Sequence, residues 1–172
     1  QEKQTISRNR NYRYGEEVKL PTITIDNAML WDCENPNLYT AKITLYKEDG
    51  SIADETCSTF GIRTIEIIPN KGLLLNGKKV LLKGNANHHT NGALGAAAYP
   101  RAIEKRLILL KDFGMNHIRC SHNPYSESFL DMCDKHGILV VDELYDKWNN
   151  QYVGAGRAEF NDLWHSHVPD LL

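Results

Sequence analysis

The sequence predicts a multidomain fold that joins an all-β part to an α/β part, with the boundary between residues 68 and 69. Short alternating strands separated by turn residues occupy residues 1–68, whereas apolar runs alternate with helical stripes over residues 69–172. The segment Pro69-Asn70-Lys71-Gly72 lies between the two patterns and is typical of a connection. A chain of 172 residues has room for one ordinary domain or for two small or partial ones.

The first part has the features of an antiparallel sheet. Asp49-Gly50 predicts a tight turn between a strand at Ile43–Tyr46 and a strand near Ile52–Cys57. Thr22–Asp26 alternates with a period of two residues and is predicted as a further strand. Strands at this spacing favour a β-sandwich, but residues 1–68 fall short of the roughly 100 residues of a complete immunoglobulin-like one. We therefore expect a partial immunoglobulin-like β-sandwich whose other strands lie upstream.

The second part begins with a hairpin and a buried strand. Asn76-Gly77 predicts another tight turn, and the wholly apolar run Val80–Leu82 is typical of a parallel strand buried on both faces. A polar, glycine-rich loop follows, and Pro100 then suits the first turn of a helix that ends before Gly114. The inward-facing stripe of this predicted helix consists of Ile103, Leu107 and Leu110.

Two further strands are predicted, at Asn116–Cys120 and Ile138–Val141. The helix between them begins after Ser126 and ends at Gly137, and a last helix is predicted from Ala158. The resulting order β-α-β-α-β-α predicts a parallel sheet with right-handed crossovers, which an open doubly wound sheet and a closed barrel both satisfy. The strand predicted at Val80–Leu82 is not followed by the glycine-rich motif that binds dinucleotides.

Polar side chains follow each of the three predicted parallel strands. In a barrel, such residues converge at the rim formed by the carboxyl ends of the strands. Adjacent residues at a strand end point to opposite faces, so we expect only one of Asp142 and Glu143 to enter the barrel opening. The candidates are His88 and His89 after the first strand, Arg119, His122 and Asn123 at the second, and Asp142 and Glu143 after the third.

The composition argues against several classes of function. The formal net charge of −2 gives no reason to expect a nucleic-acid partner or an anionic membrane surface. No apolar run reaches the roughly 18 residues of a membrane span, and the first residues lack the apolar segment of a signal peptide. The histidine and cysteine spacings match no zinc motif, so we predict no metal site and no cofactor. A disulfide between Cys33 and Cys57 is geometrically conceivable, but free, half-buried thiols are the state we favour. The compartment stays open between the periplasm and the cytoplasm of a bacterium.

Six motifs occur in one order along the chain: GIRTIEI, LLLNGKKVLLKG, NHHTNGALGAA, LKDFGMNHIRCSHNP, FLDMCDKHGILVVDE and DKW. Together they resemble glycoside hydrolase family two, which includes β-galactosidases, β-glucuronidases and β-mannosidases. The upstream LWDCENPNLYTAKITLY is similar to the last strands of that family's immunoglobulin-like domain. The resemblance runs from about Trp31 to Trp164. It implies that residues 69–172 form the first three βα units of a TIM (β/α)₈ barrel, which needs about 250 residues when complete.

The resemblance implies a retaining exo-β-glycosidase, most like a β-galactosidase, that acts through a covalent glycosyl-enzyme intermediate. Such enzymes need two carboxyl groups about 5–5.5 Å apart. The family places one of them in an Asn-Glu pair after strand four and the other near strand seven. No Asn-Glu pair occurs in this sequence, so we expect the catalytic glutamates beyond its C-terminus and expect the fragment alone to be inactive. The alternative is a non-catalytic carbohydrate-binding or scaffold module.

The resemblance also implies roles for the residues at the strand ends. Arg119 would support the nucleophile, and the alternative is a structural ion pair with a neighbouring carboxylate. Imidazole both donates and accepts hydrogen bonds, which suits contacts with sugar hydroxyls. Relatives often have an acidic residue where this chain has Thr90, which puts a carboxylate contact from that loop in doubt. The expected substrate-binding residues are His88, His89, His122, Asn123, Asp142, Glu143 and Trp148.

Carbohydrate is therefore the expected partner of the chain. A three-strand piece of barrel exposes sheet edges, so we also expect self-association of the isolated chain through them. Certain β-galactosidases of the family bind magnesium through an acidic residue and a histidine just after strand three. The corresponding LYDKWNNQ contains no histidine, so we expect no such site.

Overall fold

The computed structural model describes residues 19–146. The predicted helix from Ala158 and the candidate Trp148 lie outside these residues. The described elements are β1 (Tyr39–Tyr46), β2 (Ile52–Phe60), β3 (Ile65–Ile68), β4 (Gly72–Leu75), β5 (Lys78–Lys79), β6 (Gly84–Asn87), α1 (Pro100–Asp112), β7 (His117–Cys120), α2 (Glu127–His136) and β8 (Leu139–Val141).

The strands β1 and β2 form the predicted antiparallel hairpin. Tyr39 pairs with Phe60, and at the other end Tyr46 pairs with Ile52. The turn is held by Asp49, whose carboxylate accepts a hydrogen bond from the Ser51 amide at 2.9 Å, and by Gly50, whose φ of 83° belongs to the left-handed region. Turn chemistry alone therefore located this hairpin correctly.

The predicted strand at Thr22–Asp26 is wrong. This segment forms no strand, and its alternating apolar residues are exposed, Ile23 at 68% and Ile25 at 40%. Alternation marks a strand only where a neighbouring strand completes its backbone hydrogen bonds. No strand within residues 19–146 pairs with this segment.

The strands β3, β4 and β5 form a small antiparallel sheet around the predicted Asn76-Gly77 turn. Both turn residues have positive φ, 52° at Asn76 and 74° at Gly77, as a type I′ hairpin turn requires. The Asn76 side chain also accepts a hydrogen bond from the Thr64 amide at 2.9 Å. Both tight turns predicted from the sequence are thus confirmed.

The first parallel strand is displaced from its predicted position. Val80–Leu82 is a connection in which Leu81 is 72% exposed, and the strand is β6, with the polar sequence GNAN. Asn116 holds the connection by binding the Lys83 amide and the Leu81 carbonyl. Gly84 is required where β6 meets β7, because a Cβ there would lie 1.9 Å from the His117 carbonyl oxygen. The prediction was wrong because an apolar strand was expected, whereas the close approach of the β6 and β7 backbones requires glycine at position 84.

The strands β6, β7 and β8 form a parallel sheet in that order, connected through α1 and α2. Both helices end as predicted, with Gly114 at φ 76° and Gly137 at φ 68°. The predicted β-α-β-α-β alternation is therefore confirmed as far as residue 141. The helices and β7 enclose a core formed by Ile103, Leu107, Ile118, Cys120, Tyr125, Phe129, Cys133 and Ile138.

A second, smaller core joins the two parts of the chain. Trp31 is completely buried, its indole N–H donates to the Asp134 carbonyl on α2 at 2.7 Å, and the Arg63 guanidinium lies 4.4 Å from its ring centroid. Trp31 packs with Cys33, Leu75 and Leu139. The segment before β1 therefore attaches the antiparallel part to α2 and β8.

Candidate functional site

The predicted candidates meet where the three parallel strands end. Because β6, β7 and β8 run in the same direction, the residues following them share one edge of the sheet. Four side chains lie in contact there, and we call them the strand-end cluster: His88, Arg119, His122 and Glu143.

Glu143 is the centre of the strand-end cluster. One carboxylate oxygen pairs with the Arg119 guanidinium, and the other lies 3.1 Å from His122 Nδ1. The Glu143 side chain is 19% exposed, against 48% for Arg119 and 38% for His122. The Glu143 carboxylate is thus the most buried of the three groups, and each of its oxygens contacts one of the other two.

Asp142 has a different environment from Glu143. Its carboxylate accepts a hydrogen bond from the Glu143 amide at 3.0 Å. Burial, with a smaller contribution from Asp142, raises the pKa of the Cys120 thiol to about 12. The two adjacent carboxylates therefore have different neighbours, and of the two it is Glu143 that reaches Arg119 and His122.

The two histidines that follow β6 have different partners. The His88 ring meets the His122 ring edge-on, with centroids 5.1 Å apart. His89 instead stacks on Tyr125 at 3.9 Å, and its Nε2 lies 3.2 Å from the amide nitrogen of Asn123. All the predicted candidates within residues 19–146 therefore lie at one end of the sheet.

Tyr125 is a further residue of this end of the sheet, and it was not predicted from the sequence. Its hydroxyl donates to the Asn87 carbonyl at 2.7 Å, at the point where β6 ends, and its ring also packs against Phe129. Burial raises the pKa of Tyr125 to about 12. The available signal was an aromatic residue directly after the SHNP motif.

Arg106 on α1 was also missed. Its guanidinium donates to the carbonyls of His88 and Thr90 and to the side chain of Asn91. One indication of its role was present in the sequence, which is that this charged residue directly precedes Leu107 on the buried face of the predicted helix.

The strand-end cluster offers donors and acceptors for polyhydroxylated ligands. Its imidazoles present N–H donors and ring-nitrogen acceptors, and the Arg119–Glu143 pair adds a fixed charge of each sign. Within residues 19–146, no group of three or more His, Cys, Asp or Glu side chains is arranged to hold a metal ion. In the same part of the chain, no helix is long and apolar enough to cross a membrane.

Comparison with known proteins identifies related sequences for both parts of the chain. Residues 66–165 match the family model described as glycosyl hydrolases family 2, TIM barrel domain, and residues 1–63 match glycosyl hydrolases family 2. A β-galactosidase of Bacteroides ovatus is 39% identical over 150 residues, which are 87% of this chain and 18% of that protein. A putative β-glucuronidase of Formosa agariphila is 39% identical over 144 residues, 83% of this chain and 14% of that protein.

A solved structure agrees with these matches. A crystal structure of a glycosyl hydrolase family 2 member from Bacteroides cellulosilyticus superposes with a TM-score of 0.72 at 40% identity, covering 84% of this chain and 19% of that one. The β1–β2 hairpin corresponds to the end of a β-sandwich domain, whereas β4, β5 and the parallel βαβ units lie within the match to the start of a TIM barrel domain. The chain therefore belongs to glycosyl hydrolase family 2.

Proposed function

We propose that this chain supplies part of the substrate-binding site of a retaining exo-β-glycosidase, most like a β-galactosidase. The observation that carries the proposal is Glu143, whose two carboxylate oxygens hold Arg119 and His122 at the ends of adjacent parallel strands. A rigid array of this kind is what recognition of a small polar ligand needs. The catalytic glutamates would lie in sequence beyond residue 172.

Each residue of the strand-end cluster receives a role in this proposal. His88 and His122 contact sugar hydroxyls, and Arg119 supports the nucleophile. Glu143 orients Arg119 and His122, because both of its oxygens are already engaged. Asp142 braces the end of β8, and the remaining substrate-binding candidates are His89, Asn123 and Trp148.

The bond is cleaved, in this proposal, by two carboxyl groups that flank it about 5–5.5 Å apart. Asp142 and Glu143 do not provide that pair, since they are adjacent in sequence and Glu143 is committed to an ion pair. The 172-residue chain is therefore expected to lack hydrolytic activity. Clear turnover of a chromogenic β-galactoside by the purified chain would contradict this assignment.

Galactosides are the proposed substrates, although the related proteins include both a β-galactosidase and a putative β-glucuronidase. The preference rests on the loop sequences NGALGAA and DKW. Expression of the complete reading frame and assay with matched β-galactoside and β-glucuronide substrates tests it directly. A higher kcat/KM for the glucuronide would overturn the choice of sugar.

Histidine NMR of the chain tests the proposed site. Titration with a β-galactoside is expected to shift the ring resonances of His88 and His122 and to leave His136 unchanged, since His136 lies on α2 beside Glu104. His122→Ala is expected to weaken this response, and His136→Ala is the matched control. Sugar-dependent shifts together with an inactive complete reading frame would favour the non-catalytic binding module.

A further inference from the structure

The backbone that carries His88 and His89 is fixed by a side chain from α1. The Arg106 guanidinium donates to the His88 carbonyl at 3.3 Å and to the Thr90 carbonyl, the residues on either side of His89. It also donates to Oδ1 of Asn91. One planar group thus binds three acceptors of the loop that follows β6, which its fork of five donors makes feasible.

The rest of this loop is closed on itself. Asn91 accepts from Arg106 through its side-chain oxygen, while its side-chain amide donates to the Ala97 carbonyl at 3.0 Å. Its backbone amide donates to the Gly95 carbonyl at 2.7 Å. Arg106 therefore ties the loop by its side chain to α1, whose buried residues Ile103 and Leu107 belong to the main core.

Two other side chains, Tyr125 and Asn123, contact the His89 ring or the end of β6. Tyr125 anchors the end of β6 through the Asn87 carbonyl and stacks on His89. Asn123 approaches Nε2 of His89. Tyr125 and Asn123 act on one ring or on the strand, whereas Arg106 acts on the backbone that sets the direction of both histidines.

We propose that Arg106 is a positioning residue that orients His88 and His89 for ligand binding by holding the carbonyls of residues 88 and 90. It touches no substrate and acts through the loop. Its importance for sugar recognition rests on the proposed function, but its effect on the histidines does not. Without the guanidinium, the loop keeps its internal bonds and loses its attachment to α1, so both rings leave their present neighbours.

The test is histidine NMR of the 172-residue chain without sugar, comparing Arg106→Gln with wild type. We expect the His89 ring protons to lose the ring-current shift caused by Tyr125, and the His88 resonances to move because contact with His122 is altered. The resonances of His117 and His136 are internal references that should stay in place. Arg101→Gln, an exposed arginine on the same helix, is the matched control and should change none of them.

Arg106→Lys should shift the same two histidines in the same direction by a smaller amount, because an ammonium group retains the charge but not the fork. If Arg106→Gln lowers the folded fraction, Arg106→Lys carries the comparison. Unchanged His88 and His89 resonances in a folded variant would overturn the proposal. Shifts of the same size at His88, His89 and the two reference histidines would also overturn it. Failure of the proposed function is distinct, because the wild-type chain would then show no histidine response to added sugar.

Discussion

The β1–β2 hairpin and the parallel unit from β6 to β8 belong to one chain but bury their side chains very differently. Every residue of β2 is exposed, and Ile43 on β1 is 44% exposed. In β7, by contrast, Ile118 and Cys120 are completely buried. Within residues 19–146 the hairpin is a sheet of two strands, too few to bury a face between them, whereas crossover helices cover a parallel sheet.

The difference explains where the candidate site lies. The strand-end cluster extends from strands whose positions are fixed by a shared core with α1 and α2. Side chains mounted on such a core keep their mutual distances, which a binding site requires. The described hairpin contributes no residue to the cluster, and Trp31, in the segment before β1, helps to attach it to the parallel unit.

The largest expected difference between the two regions is in cysteine labelling. Cys57 on β2 is exposed, whereas Cys120 and Cys133 are 0% and 1% exposed, and burial raises the pKa of both buried thiols. Under native conditions we expect Cys57 to react like a free thiol. Cys120 and Cys133 should react more slowly by roughly a thousandfold or more, because the reagent reaches them only when the core opens transiently. Mass spectrometry of labelled peptides over time measures the three rates.

Labelling in denaturant is the control for this experiment. There the intrinsic reactivities of the three thiols should become similar, because no structure protects them. Equal native rates for Cys57 and Cys120 would break the comparison, since they would show that the parallel unit has no more persistent core than the hairpin.

Truncation of one isoleucine in each region is expected to give the next largest effect. Ile118→Ala removes a completely buried side chain and should lower the free energy of unfolding by about 2–5 kcal/mol. Ile43→Ala, the matched control in β1, should cost about 1 kcal/mol or less, because Ile43 is already 44% exposed. Urea unfolding followed by circular dichroism measures both changes. A cost for Ile43→Ala equal to that of Ile118→Ala would contradict the assignment of the core.

Replacement of Trp31 is expected to have a smaller effect than Ile118→Ala but to be the most informative about the connection. Trp31→Phe retains an aromatic ring beside Arg63 and removes the indole N–H that binds the Asp134 carbonyl. The expected cost is about 1–2 kcal/mol, that of leaving a partly buried acceptor without its donor. Calorimetry should show a lower transition temperature, and Arg63→Gln should have a smaller effect. An unchanged transition temperature for Trp31→Phe would show that this hydrogen bond does not stabilise the attachment.

Several features were predictable because they depend on local chemistry. Asp49-Gly50 and Asn76-Gly77 made the turns that their conformational preferences require, and Gly114 and Gly137 ended the two helices. Strand order then predicted that His88, Arg119 and His122 would lie together, since parallel strands place their ends at one edge. The family resemblance agreed with these local signals and is confirmed by the matched family models.

Other features depended on contacts between distant residues. The polar strand β6 was missed because Gly84 is required by its close contact with the His117 carbonyl on β7, more than thirty residues away in sequence. Arg106 and Tyr125 were missed because most of their hydrogen bonds go to backbone carbonyls, which do not depend on residue type. The domain boundary at residue 68, the binding roles of the individual residues and the self-association of the chain stay predictions.

The sequence by itself determined the turns, the helix ends, the β-α-β alternation and the set of polar residues that follow the strands, because each of these follows from a residue's own conformational preference or its spacing. Only the tertiary structure decided that Glu143 rather than Asp142 engages Arg119 and His122, and that Arg106 holds the loop of His88. The physical reason is that direction and partner are set by how β6, β7, β8 and α1 pack together, and packing is a property of the assembled core rather than of any one segment.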